Sequence, residues 1–445
     1  MDEEMELEVQ IMAQTYSKQA VEEWVHKHQQ YMIGLLQEMI RFKSINPKFI
    51  DDPSSSECDK LQEFLQDYLL TLGLSVDKWD VYDRQPNIVA TLQGKTRENT
   101  LILNGHVDVV PAGDLSQWTV DPWKGEVRDG KLYGRGSVDM KAGVLSNMMV
   151  AKFMVDMGIE PDSDLQLHIV IDEEGGGSGT RSVLERGYTG SGVIVTEPTN
   201  AVINPVEGGL QWIRVIVRGH SYHSAWRYSQ IYPGYARTGV NAIEKAMKIL
   251  QAVSQLEKDR GLHKSHPLLP PGITTINPGV MLAGSGNKNG YPETITNPSI
   301  IPDYCVMELS MKYLPDENLS DIKRDLEEAI HSVSVTDSWL KENPPSIEWG
   351  VHGVDFPPVN TPLDHKLVTA VASSQESFNI TPSFEGFVAV SDAAFYAGNH
   401  IPAIIYGPRG AQLHGPDEYV ELASWYEVTK VLILAALQWN GMTDE

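Results

Sequence analysis

The chain has 445 residues, 41% of them hydrophobic, and a formal net charge of −25, which provides for two apolar cores and repels nucleic acid and anionic lipid over most of the surface. No window approaches 18 uninterrupted apolar residues, so no membrane span is indicated, and the acidic start MDEEMELEVQ lacks the basic and then apolar order of a secretory signal. Two cysteines without CxxC spacing, Cys58 and Cys305, point to a reducing, cytoplasmic compartment and leave any metal to be held by His and carboxylate.

Residues 1 to about 18 are dense in acid and weakly periodic, and read as a frayed extension. From about Ser17 to Phe42 apolar residues recur at helical spacing, and the helix should end before Asn46-Pro47. A second helix is expected over Cys58 to Leu72. Apolar segments separated by turn signals follow: NIVATLQG, TLILNGHVDVV, GKLYGRG, a helical stretch after Gly143, LQLHIVIDEE and GVIVTEP. Strands alternating with helices predict an α/β fold, a mixed and mostly parallel sheet with helices on both faces. The pattern changes near Val206. GLQWIRVIVRGHSYHSA alternates like an antiparallel strand, a helix is expected over about Gly239 to Gln255, and the loop-rich KSHPLLPPGITTINPGV comes next. A strand pair ending in VMELSMKYLP and a helix over about Asn318 to Val333 complete an α+β, ferredoxin-like unit. After Asn343-Pro344-Pro345 helix and buried strand return, with IPAIIYGP and then QLHGPDEYVEL. The expected organisation is a catalytic domain of residues 1–207 and 329–445 with a second domain, 208–328, inserted into it.

Several apolar strands end in chemistry. LILNGHVDVVPAG leaves its strand at His106 and Asp108, where open α/β sheets bind ligands. Residues i and i+2 share a side, so the Asp108 carboxylate can accept the other ring N–H of a metal-bound His106. The HxD pair alone is better served by a satisfied histidine at a strand end and a turn-capping Asp. GRGSVDMKAG places Asp139 in a Gly-rich turn at the start of a helix, where an N-cap is the plain alternative. IVIDEEGGGSGT ends a strand in Glu173 and Glu174, a costly pair unless compensated. Its glycines lack the GK[ST] of a phosphate loop. IVTEPT ends another strand in Glu197, and QLHGPDEY puts His414 after a Gly-Pro loop. All of these lie where an apolar strand gives way to a loop in the expected sheet. Two imidazoles and several carboxylates without thiolates suit two divalent ions about 3.5–4 Å apart in a hydrolytic site.

GHVDVVP, SVDMKAG, DEEGGGSGT, TEP and LHGPDEYV, in that order, resemble the M20-type metallopeptidase family that contains acetylornithine deacetylase, succinyl-diaminopimelate desuccinylase, aminoacylase-1 and the bacterial glutamate carboxypeptidase. The resemblance runs from about residue 30 onward. It implies that His106 and Glu197 hold one metal, Glu174 and His414 the other, and that Asp139 bridges them. Zinc is the expected metal, with cobalt or manganese as alternatives. Glu173 would be the general base, Asp108 the orienter of His106, and the Asp139-Met140 peptide cis. RGHSYHSA resembles the family stretch whose histidine polarises the scissile carbonyl, which makes His223 the candidate and His220 the alternative on spacing. The inserted domain would be a lid through which the chain forms a homodimer.

Two departures bear on substrate. Where many relatives have Arg in the strand before Leu-Pro, SMKYLP offers Lys312, a point charge without the bidentate fork. In VSDAAF, Ala394 stands where relatives often place Arg or Gly. Lys312 and Asn297 are the candidate substrate contacts. The expected activity is removal of a small N-acyl group from an amino acid or similar amine, with acetylornithine-like substrates first. Desuccinylation, deformylation of an aminopyrimidine and dipeptide hydrolysis are the alternatives within the class. A binding protein that kept the fold and lost the chemistry should lack a ligand or the base, and this chain has every position filled.

Overall fold

The computed structural model describes residues 17–227 and 239–442. All but the end of the expected acidic extension lies outside them. The chain divides into two compact units, one of residues Met1–Val206 and Val359–Glu445, the other Glu207–Pro358.

The first helix, Lys18–Arg41, is capped by Ser17 and buries Val21, Trp24, Val25, Met32, Leu36, Met39 and Ile40 on one face, the stripe expected of a helix on a core. A second helix spans Cys58–Thr71. The first unit's strands up to the crossover are β1 (Ser75–Tyr82), β2 (Gln85–Leu92), β3 (Thr96–His106), β4 (Glu126–Arg128), β5 (Lys131–Tyr133), β6 (Ser163–Val170), β7 (Gly192–Val195) and β8 (Ile203–Glu207). The second unit contributes β9 (Gly209–Arg218), β10 (Ile276–Gly284), β11 (Tyr304–Tyr313), β12 (Ser346–Trp349) and β13 (Asp355–Phe356). On its return the chain forms β14 (Val359–Asn360), β15 (Phe384–Phe387), β16 (Ala403–Ile405), β17 (Gly410–Ala411) and β18 (Tyr419–Glu421).

The large sheet has the order β1-β2-β6-β3-β7-β16-β8-β14, with β15 beside β8. Its centre is parallel: β3 pairs β6 and β7 in parallel, and β16 pairs β7 likewise. Antiparallel strands β1 and β2 finish one side. Every residue of β6 is buried, as befits a strand covered on both faces. The helix Ala142–Asp156 buries most of its surface, and so does the helix Leu422–Trp439. Trp425 of the latter donates its indole N–H to Ala142 O. A separate four-stranded sheet has the order β17-β18-β5-β4.

The second unit is an antiparallel sheet, β10-β11-β9-β12, with β13 also on β9. Its helices Ala242–His263 and Leu319–Ser334 bury Ala246, Ile249, Val253, Ile322, Leu326 and Ile330 with Ile213, Val215 and Val217 of β9. The unit runs past the expected boundary at residue 328 because β12 and β13 pair with β9. Both are too short to show periodicity in the sequence. β10 begins inside the segment expected to be loop, with an irregularity between Pro278 and Val280 that accommodates the proline.

Candidate metal centre

The parallel pairing decides where the acids meet. In register with β3, β6 ends opposite His106, and β7 runs alongside, so His106, Glu173-Glu174 and Glu197 all leave the same edge of the sheet. His106 is 1% exposed, and its Nε2 stands 3.3 Å from Glu197 Oε1, 3.3 Å from Asp139 Oδ1 and 3.8 Å from Glu173 Oε2.

Asp139 and His414 come from elsewhere. Contrary to the expectation of one sheet, Asp139 lies in the turn between β5 and the helix Ala142–Asp156, and His414 in the loop between β17 and β18. Both strands belong to the small sheet. The approach is close: a Cβ at Gly143 would lie 2.1 Å from Thr196 O, so glycine lets the helix behind Asp139 press against the segment that carries Glu197. The Asp139-Met140 peptide is cis. Asp139 Oδ2 stands 3.2 Å from His414 Nε2, while its Oδ1 faces His106. Glu174 Oε2 is 3.1 Å from the same His414 nitrogen. One carboxylate thus faces two imidazoles with its two oxygens.

Asp108, the expected orienter of His106, meets the ring through two groups. His106 Nδ1 lies 2.9 Å from the Asp108 backbone carbonyl, whereas the Asp108 carboxylate is 3.6 Å away. A carbonyl accepts only, so Nδ1 carries a proton, and although burial opposes a charge on the ring, Glu197 and Asp139 beside Nε2 hold the His106 pKa well above the usual imidazole value. A cation bound between Nε2 and these carboxylates would take the place of the second proton. The Asp108 carboxylate instead accepts from Asn46 Nδ2 at 2.8 Å and from the Glu173 backbone N–H at 3.3 Å. It therefore braces the loop that carries Glu173 and Glu174.

The electrostatics show what the cluster lacks. Burial raises the pKa of Glu197 to about 7 and that of Asp108 to about 6, and it holds Glu173 well above the carboxylate range. Hydrogen bonding to Asp139 and Glu174 lifts His414 to about 10. His106 Nε2 is buried without a hydrogen-bond partner. Buried carboxylates are stable when paired or when they coordinate a metal, and two ligand atom sets, His106 with Glu173 and Glu197 and His106 with Asp139 and Glu174, each lie within 4.8 Å of one another. The N and O donors present fit divalent ions such as zinc.

The remaining candidates belong to the second unit. His223 is exposed, and its Nδ1 accepts from Ala225 N at 3.1 Å, which leaves the proton of a neutral ring on Nε2. The Asn297 side chain caps a turn by accepting from Ser299 N, and Ser224 N in turn donates to Ser299 O. Asn297 therefore supports the backbone beside His223. His220 pairs with Val240 through its backbone. Lys312 lies on β11, where burial lowers its pKa against the pull of Glu207.

Sequence reasoning missed two supports and one buried acid near the site. Lys48 donates to Asp172 Oδ2 at 2.7 Å and to Gly175 O at 2.9 Å, which pins the loop on either side of the two glutamates. Asn46 bridges Asp108 and Asp172, although Asn46-Pro47 reads only as a helix stop. Asp392 is wholly buried, and burial raises it to about 7 against the opposing pull of His106 and Thr180. Its only signal was a lone acid in the otherwise uncharged stretch GFVAVSDAAF.

The family model of peptidase family M20/M25/M40 matches residues 102–438. The chain is 30% identical over 427 residues to the N-formyl-4-amino-5-aminomethyl-2-methylpyrimidine deformylase of Halalkalibacterium halodurans, covering 93% of this chain and 96% of that protein. It is 31% identical over 432 residues to the deformylase of the same name from Bacillus subtilis, covering 95% and 97%. A succinyl-diaminopimelate desuccinylase of Verminephrobacter eiseniae is 29% identical over 341 residues, 74% of this chain and 75% of that one. Among solved structures, aminopeptidase PepT from Bacillus cereus superimposes with a TM-score of 0.69 at 18% identity, over 93% of this chain and 99% of that one, which shows a shared fold. With a family match across most of its length and near full-length relatives, the chain belongs to peptidase family M20/M25/M40 and is a metal-binding hydrolase of amide bonds.

Proposed function

We propose that the protein holds two divalent metal ions and hydrolyses the amide of a small N-acyl amine, with an N-formyl group on an aminomethyl-substituted heteroaromatic ring as the favoured substrate class. The observation that carries the two-ion reading is Asp139, whose two oxygens face His106 and His414 separately. His106 and Glu197 would hold one ion, Glu174 and His414 the other, and Asp139 would bridge them. Zinc is the first choice, with cobalt or manganese as alternatives. The substrate class rests on the two deformylases, which match almost end to end. It displaces acetylornithine-like amides from first place among the expected substrates.

Divalent ions at such a site lower the pKa of water and polarise a carbonyl. The chain's own groups do the rest. Glu173 lies outside the closer contacts that Asp139 and Glu197 make to His106, so its carboxylate, once bound cations offset the burial that raises its pKa, would be available to take a proton from the attacking water. As the C–N bond breaks, Glu173 delivers that proton to the leaving nitrogen. The products are the carboxylic acid and the free amine. His223, with its Nε2 proton, would donate to the developing oxyanion.

The second unit supports a homodimer. β10 is an end strand of its sheet and exposes Val280, Met281 and Leu282, and the helix Ala242–His263 exposes Ile243 and Met247. A two-fold pairing of such an edge would bury these groups and let each copy present His223 to its partner. No described helix is long and apolar enough to cross a membrane, and two buried free cysteines accord with a cytoplasmic setting.

The test is a substrate panel. The zinc-loaded protein, offered N-formyl aminomethylpyrimidine, N-acetylornithine, N-succinyl-diaminopimelate and dipeptides, should show its highest kcat/KM on the formyl compound. A higher value on another member reassigns the substrate, and no hydrolysis of any member rejects the class.

A further inference from the structure

Arg135 and Glu418 stand inside the motif stretches yet have no part in the chemistry above. Each is 1% exposed, and together they form a buried ion pair through Arg135 Nη1 and Glu418 Oε2. The Glu418 carboxylate is fully occupied. Its Oε2 also accepts from Gly136 N at 3.1 Å, and its Oε1 accepts from Val138 N at 3.1 Å and from Asp139 N at 3.2 Å. One side chain thus holds the backbone of the turn that aims the shared carboxylate. The Glu418 backbone carbonyl adds a bond from Gly134 N at 2.9 Å.

Arg135 reaches the other way. Its Nη2 donates to Gly415 O at 3.0 Å, the residue directly after His414, and to Pro111 O at 3.4 Å on the loop that follows His106 and Asp108. His414 needs such a hold: its side chain is 55% exposed, and its φ of +60° is one that a non-glycine residue seldom adopts unaided. Neither side chain approaches a ligand atom as a donor or acceptor. Both act on the backbone that carries ligands, and the loops they join come from the two separate segments of the first unit.

We infer that Arg135 and Glu418 are positioning residues that lock the His414 loop to the Asp139 turn, so that the ion position needing His414 forms only while this pair is intact. The inference rests on the two-ion reading. The position built on His106 and Glu197 depends less on the pair, because both residues sit at the ends of paired strands of the large sheet. Partners of this kind, one step removed from a ligand, characteristically change metal affinity by about 10–100-fold when altered. The consequence is unequal damage. Breaking the pair should weaken the position that needs both Asp139 and His414 more than the one that shares Asp139 but keeps His106 and Glu197, whereas general loosening of the unit would weaken both alike.

The experiment is a cobalt(II) titration of the full-length apoprotein, followed by visible absorption and by metal content per chain, with thermal unfolding in parallel. Wild type should bind two ions. Glu418→Gln keeps the shape but loses the charge, and it should bind the first ion within about threefold of wild type and the second at least about tenfold more weakly. Arg135→Lys should behave the same way, because a single ammonium cannot replace the fork that reaches both Glu418 and Gly415. If Glu418→Gln shows no cooperative unfolding, Arg135→Lys carries the test alone. Two ions bound with wild-type affinities in a folded variant would overturn the inference, as would equal weakening of both. Wild type binding fewer than two ions would defeat the two-ion reading and this inference with it, an outcome that needs no variant to see.

Discussion

Each unit contains a histidine held about as close to a glutamate as the other's, yet the two clusters do opposite things. In the second unit, Glu308 on β11 lies 3.2 Å from His352 Nε2, and in the first, Glu197 lies 3.3 Å from His106 Nε2. Glu308 also accepts from Arg214 Nη2 at 2.6 Å, Arg214 Nε at 2.9 Å and the Tyr291 hydroxyl at 3.0 Å. Burial pushes its pKa up, but these donors win and hold it below the usual range. Around Glu197 burial wins, and its pKa rises to about 7. Proximity of imidazole and carboxylate therefore does not mark a metal site. A deficit of donors favours one, because a bound cation can balance acids that the fold has buried with few donors.

The contrast can be broken in order of effect. Glu173→Gln should cut kcat by about a thousandfold or more while leaving the metal content intact, since Gln keeps the shape but accepts no proton. Metal analysis beside single-substrate kinetics checks it, and retained turnover would assign the base to another residue. His106→Ala and His414→Ala should each lower metal stoichiometry, because each histidine serves one proposed position. A full complement of metal in either variant would remove that histidine from the ligand set. A mixture of His223→Ala and Glu173→Gln chains, exchanged under conditions that scramble subunits, should regain turnover if His223 serves its partner. If it serves its own chain, the mixture stays inactive.

The smallest effect is expected at the balanced cluster. Glu308→Gln should leave metal content and kcat unchanged and lower stability by about 1–3 kcal/mol, the order of a lost hydrogen bond to a charged group. Its pH dependence has a definite sign. Glu308 titrates below its unfolded value because Arg214, Tyr291 and His352 face it, with Glu348 on the far side of Arg214. Its stabilising contribution is complete above the unfolded pKa of about 4.3 and is lost as pH falls through the lower folded value. The difference in urea midpoint between wild type and Glu308→Gln should therefore shrink from pH 7 to pH 3.5. A gap that is constant or widens would contradict the assignment of the shift.

The same contrast explains what the sequence disclosed. His106, Glu173, Glu174 and Glu197 were legible because each follows an apolar run in the parallel centre of the large sheet, where a strand's end and a ligand's place coincide. Asp139 and His414 were legible only through the order of motifs. They hang on β5 and β17, strands of three and two residues, whose pairing no periodicity announces. The Asp108 carbonyl that fixes the His106 tautomer could not be foreseen from side-chain types, because any residue supplies a carbonyl. Glu418 looks like a solvated loop acid until the fold buries it beneath the Asp139 turn. The end of the second unit at Pro358 was hidden for the same reason as the small sheet: β12 and β13 owe their existence to β9, far off in sequence.

The central claim, that buried acids short of donors form a two-ion hydrolytic site, is tested most directly by counting metal per chain in the purified protein and following hydrolysis of an N-formyl amine before and after chelation. Two divalent ions per chain are expected, with turnover abolished by the chelator and restored by zinc, cobalt or manganese. Hydrolysis at full rate by the metal-free chain would contradict the claim.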